Sequence, residues 1–144
     1  MYQKIVIVGN LGGDPEMRYM PDGTAVTNFS IATNRRWTDG ASGQPRDETT
    51  WFRVSVWRKQ AETANQYLSR GSKVLVEGRL KPDPATGGPR TFTRQDGSVG
   101  ASFEITADVI RFLSGRDEAG YAPEGGDAGY AAAAPAQEED DIPF

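Results

Sequence analysis

The stretch Thr50–Arg58 (TWFRVSVWR) holds the residue types best suited to engaging a ligand. In an extended strand alternate side chains share a face. Phe52, Val54 and Val56 make one face, a plain core pattern, and Trp51, Arg53, Ser55 and Trp57 make the other. The aliphatic face claims the core, so two indoles flanking a guanidinium are expected outside. Such an exposed row is unusual on a soluble monomer. It suits an unpaired nucleic-acid strand, whose bases stack on indoles at about 1–3 kcal/mol each while Arg meets the phosphates. Trp and Arg are also enriched at subunit interfaces, so that reading stays beside the first.

Two further clusters favour nucleic acid. Arg35, Arg36 and Trp37 close a second strand, and Arg90, Phe92 and Arg94 repeat a basic-aromatic-basic pattern further on. Arg58 directly follows Trp57 and adds to the basic set. Lys73 and Arg79 fall on the outward phase of another strand, where they line a groove or are simply solvated. Trp37 poses a difficulty. In simple alternation it is in phase with Phe29 and Ile31, which should face inward, so a bulge or a strand end before it is expected to re-aim it.

Composition removes most catalytic chemistry. The chain has no Cys, which excludes disulfides, iron–sulfur clusters and thiolate zinc sites. It has no His, which removes the usual general base, the Ser-His and Cys-His pairs and imidazole ligands. Asp14/Glu16 and Asp47/Glu48 would hold Mg²⁺ only weakly and read better as loop solvation. No metal or cofactor is expected. Gly9–Gly13 is glycine-rich after a strand but lacks the Lys-Ser/Thr of a phosphate-binding loop, so it reads as a turn. No small-residue cleavage site follows the short apolar run Ile5–Val8, so no signal peptide is expected. An enzyme is the least favoured class, for want of a catalytic constellation.

These residues need a scaffold. Ile5–Leu11, Val26–Asn34, Thr50–Trp57, Val74–Leu80 and Phe103–Phe112 read as strands, rich in Val, Ile, Phe, Trp and Thr. In the last of them Phe103, Ile105, Ala107 and Val109 read as core. Ala61, Ala64 and Leu68, at i, i+3 and i+7, predict one short helix, with Arg70 in its last turn and Gly71 as its stop. Five strands with a helix between the third and fourth predict the all-β, five-stranded Greek-key OB-fold barrel. Thr38–Glu48 and Lys81–Gly100 read as long loops, a length that favours function or disorder over a neutral spacer.

Charge divides the chain. The 144 residues carry a net charge of −4. Residues 1–113 hold 15 basic and 12 acidic side chains; residues 114–144 hold one and eight. The body is therefore mildly basic and is expected to be one domain, 1–113. The remainder, 114–144, is Gly, Ala, Pro and acid ending in Asp140-Asp141-Ile142-Pro143-Phe144, and cannot bury enough apolar surface to offset its ordering entropy. A disordered tail is expected there.

At this point the chain resembles the bacterial single-stranded DNA-binding proteins, the SSB family. The resemblance rests on Ile7-Val8-Gly9-Asn10-Leu11-Gly12, Asp14-Pro15-Glu16, Arg18-Tyr19-Met20-Pro21, Gly23 and Ala25-Val26. Ala32-Thr33, Thr50-Trp51, Tyr67-Leu68, Arg70-Gly71-Ser72, Val76-Glu77-Gly78 and the terminal Asp140–Phe144 continue it. It implies a homotetramer that wraps single-stranded DNA in the cytoplasm, at the nucleoid, and protects it in replication, recombination and repair. The family's stacking positions map onto Trp37, Trp51, Trp57 and Phe92, and its basic contacts onto Arg18, Arg53, Lys59, Arg70 and Lys81. The tail's end, Asp140, Asp141, Ile142, Pro143 and Phe144, would dock on enzymes of DNA metabolism. Extra residues at about Pro82 to Pro89, and Phe52 where the family can carry His near a subunit interface, depart from the pattern. Two other classes remain: an RNA-binding OB module, because stacking does not choose the sugar, and an adaptor whose indoles are buried between subunits.

Overall fold

The computed structural model describes residues 1–114. The expected tail disorder, the terminal Asp140–Phe144 and the domain division at 113/114 lie outside or at the limit of that range. Among the described residues the order is β1 (Ile5–Leu11), β2 (Glu16–Tyr19), β3 (Ala25–Thr38), β4 (Pro45–Trp57), α1 (Lys59–Tyr67), β5 (Lys73–Leu80), β6 (Arg90–Thr93) and β7 (Val99–Phe112).

The five long strands close on themselves. β1 pairs antiparallel with β5, β5 with β7, and β4 with β3, while β7 runs parallel to β4. The ring shuts where β1 meets β3 at Asn10↔Ala32 and Leu11↔Ile31. This is the OB-fold barrel. Closure leaves no free edge in the ring, and its inward residues form the core: Ile7, Leu11, Phe29, Ile31, Val54, Val56, Val74, Val76, Ile105 and Ile110. α1 packs against the barrel through Ala61 and Ala64, whose small side chains let the helix approach closely, and Leu68, just past its end, is buried as well. The fully buried Thr27 is satisfied there, its hydroxyl donating to the Ala61 carbonyl at 2.7 Å.

Two glycines permit the tight strand approaches. A Cβ on Gly9 would lie 2.3 Å from the Ala32 carbonyl oxygen, and one on Gly78 would lie 2.2 Å from that of Thr106. Gly9, Asn10 and Leu11 therefore belong to β1, and the turn expected at Gly9–Gly13 is confined to its last residues.

The structure corrects several expectations. Thr38–Glu48 is not a long loop: β3 and β4 continue as a hairpin to Thr38↔Pro45, leaving only Asp39 to Gln44 as connection. Cross-strand charge holds that extension, with Arg35 opposite Glu48 and Arg36 opposite Asp47. The second expected loop contains β6, which folds back on the start of β7. The helix ends at Tyr67, with Leu68 as an extended cap. Arg70 and Gly71 lie beyond it, and Gly71 (φ 87°) serves the following turn, its amide donating to the Leu11 carbonyl at 2.9 Å. In β7, Ile105 and Ala107 are buried as expected, but Phe103 is exposed and Val109 only half-buried. A bulge explains the second: Glu77 faces Val109 and Gly78 faces Ala107, so Asp108 is the extra residue and the inward phase passes to Ile110. Phe103 lies near the strand's start, beside Phe52, at 5.9 Å between ring centroids.

Candidate nucleic-acid interface

The outward face of β4 behaves as its alternation predicts. Trp51, Arg53, Ser55 and Trp57 stand beside Ala32, Ser30, Asn28 and Val26 of β3, in that order. On the other side β7 brings Glu104 beside Arg53. Trp51 is 53% exposed and Trp57 37%, whereas Val54 and Val56, between them on the opposite face, are fully buried. Ser55 Oγ donates to Asn28 Oδ1 at 2.7 Å, which ties the floor together.

Short strands turn this face into a groove. β2 adds Arg18 and Met17 along one wall; β6 adds Arg90 and Phe92 along the other; Lys81 stands at the rim. The depression holds about 930 Å³. Phe92 lies over Gly100, its registered partner, where a Cβ would fall 2.7 Å from the ring. The Arg94 guanidinium sits 5.6 Å from the Phe92 centroid, a cation–π distance. Arg90 meets Glu104 at 3.8 Å. Among the described residues Arg18, Arg53 and Lys81 have no carboxylate within ion-pair distance, although Glu16 and Glu104 also line the groove.

The groove gathers Trp51, Trp57, Phe92, Arg18, Arg53, Lys81 and Arg90. Other expected residues stand elsewhere. Trp37 lies at the tip of the β3–β4 hairpin, opposite Arg46. No bulge precedes it, because the β3–β4 register is continuous from Val26 to Thr38. It keeps the phase of Phe29 and Ile31, and it is exposed because the hairpin outruns the barrel. Arg35 covers one face of its ring at 5.1 Å, and Arg36 pairs with Asp47 at 3.4 Å. Arg58 and Lys59 begin the helix and line a separate hollow with Asp22 and Glu62. Arg58 carries φ 59°, a conformation that costs a non-glycine residue about 1–3 kcal/mol. Its amide donates to Ala25 at 2.8 Å, fixing the turn from β4 into α1. The Arg70 amide is held by the Asp14 carboxylate at 2.8 Å, the Lys73 amide donates to Ser114 Oγ, and Arg79 meets Asp108 at 3.4 Å.

The perturbed carboxylates lie away from the groove. Asp22 is held below its ordinary value by the Thr24 amide, Asp39 by the Ser42 hydroxyl and Asp96 by the Ser98 hydroxyl. Each brackets a turn. Lys4 is raised by its ion pair with Glu77.

The residues alone did not single out Asn28, Ser30, Ser102 and Glu104, which belong to the groove. Strand phase would have found the first two. Ser102 and Glu104 depend on where β7 docks, which no local pattern gives.

The groove offers outward aromatic rings, cations free of ion pairs between them and a floor of small polar side chains. Trp51 and Trp57 are six residues apart, about 20 Å in a strand, which is room for about six nucleotides at a stacked rise of 3.4 Å. The model of the Single-strand binding protein family matches residues 2–113. Two proteins named single-stranded DNA-binding protein are each 41% identical over 121 residues, which is 83% of this chain and 65% of theirs. They come from Neisseria meningitidis serogroup A / serotype 4A (strain DSM 15465 / Z2491) and serogroup B (strain ATCC BAA-335 / MC58). The chain thus matches just under two thirds of the length of these relatives. With the family model covering the whole barrel, the chain belongs to the Single-strand binding protein family.

Proposed function

We propose that this protein binds single-stranded DNA with little sequence preference and without chemistry. Bases stack on Trp51, Trp57 and Phe92, while Arg18, Arg53, Lys81 and Arg90 displace counterions from the phosphates. The observation that carries this reading is the pair of outward indoles on β4 with Arg53 between them. Family membership and the names of the two relatives support it. A duplex hides its base faces and should bind far more weakly. Trp37, Arg35 and Arg36 on the hairpin, and Arg58, Lys59, Arg70, Lys73, Arg79 and Arg94 around the barrel, extend the contact for longer strands. The biological role is protection of exposed strands in replication, recombination and repair, by a cytoplasmic homotetramer at the nucleoid.

The test is an oligo-dT titration followed by Trp fluorescence, at low and high salt, with duplex DNA and matched RNA beside it. Strong quenching by single-stranded DNA alone, persisting at high salt, supports the reading. Equal binding to duplex, or quenching that vanishes with salt, leaves only a generic basic patch; a preference for RNA moves the reading to an RNA-binding module. With about six phosphates neutralised, log K plotted against log salt should have a slope of about −4. A slope near zero would remove the basic residues from the interface.

The end of the chain has a separate role in this proposal. Asp140, Asp141, Ile142, Pro143 and Phe144 present carboxylates and one apolar ring to partner enzymes of DNA metabolism, as terminal-carboxylate capture. Deleting Asp140–Phe144 should leave single-strand affinity equal or higher, because an acidic segment repels DNA, and should abolish partner binding in a pull-down. A clear loss of DNA affinity contradicts it.

A further inference from the structure

We propose that Gly12 is the seat of the Trp51 indole: a positioning residue whose backbone meets the far edge of the ring and so presets the ring for stacking on a base. The proposal rests on the stacking role given to Trp51 above.

A Cβ on Gly12 would fall 2.5 Å from Cζ3 and 2.8 Å from Cη2 of Trp51. These atoms are at the far end of the indole. The ring therefore reaches from β4 across β3, where Trp51 is beside Ala32, to the chain just past β1. Only a residue without a side chain lets it lie there. The neighbouring Gly13 is different, since a Cβ on it would meet nothing within 4 Å.

The seat is fixed from below. The Gly12 amide donates to Ser30 at 3.0 Å, the Leu11 amide to Ser72 at 2.9 Å, and the Gly71 amide to Leu11 at 2.9 Å. Leu11 itself is buried. Gly12 is not in the left-handed region, so its backbone accepts an L-residue and an added methyl acts on the ring alone. Because the seat is held by three backbone hydrogen bonds and the indole by its own torsions, the indole is what moves.

This arrangement presets the ring. A side chain already held in its bound orientation loses little rotamer freedom on binding.

The test uses the full chain and oligo-dT. Gly12→Ala should melt within about 2 °C of the unaltered protein and bind about fivefold more weakly. In a Trp51→Ala background the same substitution should change affinity by less than about 1.5-fold, because the group it displaces is gone. Gly13→Ala should match the unaltered protein in both respects. In the unaltered, glycine-labelled protein, the Gly12 α-protons should show cross-relaxation to Trp51 Hζ3 and Hη2; this measurement holds even where the variant fails to fold. Absence of that cross-relaxation, unchanged affinity in Gly12→Ala, or an equal loss in both backgrounds overturns the seat. If these occur while Trp51→Ala still weakens binding, stacking stands without the seat. If Trp51→Ala binds as the unaltered protein does, the stacking reading itself falls.

Discussion

Replacing Trp51 and Trp57 together with Ala is expected to weaken oligo-dT binding by about 2–6 kcal/mol, from 1–3 for each indole. Both rings stand outside the core, so thermal unfolding should shift little. The two sites are about 20 Å apart along β4, far enough for their effects to add. Trp37→Ala provides a contrast that follows from the fold. Its ring lies on the hairpin tip, off the groove. Its loss should matter little for a strand of about six nucleotides, which the groove accommodates, and more for one long enough to reach the hairpin. Binding of the double variant within about 1 kcal/mol of the unaltered protein would place stacking elsewhere and favour the adaptor reading, in which β4's outer face meets protein.

Gly78→Ala should destabilise the barrel by about 3 kcal/mol or more, at the upper end of the range for overpacking. The added methyl would lie 2.2 Å from the Thr106 carbonyl oxygen and 3.0 Å from the Ala107 Cα. Both are backbone atoms of β7, with no flexible side chain to give way. Relief requires β5 and β7 to part at the bulge, where Leu80, Arg79 and Gly78 pair with Ile105, Thr106 and Ala107. For a domain of this size the melting temperature should fall by roughly 12 °C or more, read by far-ultraviolet circular dichroism. Gly88→Ala is the matched control, since a Cβ there comes no nearer than 3.7 Å to its neighbour. A Gly78→Ala melting curve that overlays the control's would show that the barrel can yield at this contact.

Much of the groove was legible because its central strand is amphipathic with a period of two. Phe52, Val54 and Val56 turn in and Trp51, Arg53 and Trp57 turn out, and nothing in the surroundings overrides that alternation. The barrel was legible for the same reason in β1 and β5. Three features were not. The hairpin extension beyond Asn34 is polar apart from Trp37, so periodicity ends where the barrel core ends, and only opposed Arg and acid mark the pairing that continues. β2 and β6 have four residues each, too few for a pattern, and exist because longer strands offer them a partner. The inward phase of β7 changes at Asp108, and that bulge is set by the fit of β7 against Gly78. Arg18 illustrates the result: its role came from resemblance, and its position came from β2.

The parallel pairing of β4 with β7 also governs when the groove can exist. Phe52 to Ser55 register with Phe103 to Thr106, so this seam joins segments some fifty residues apart in the chain. Closing such a loop is entropically costly before any contact rewards it, and topologies dominated by distant pairings fold slowly. During synthesis β4 emerges long before β7, and until β7 docks the Trp-bearing strand lacks both the wall that carries Glu104 and the platform on which β6 is built. The ligand surface is therefore among the last parts of the protein to be assembled: a nascent chain displays its indoles early but acquires the completed groove only when the ring closes.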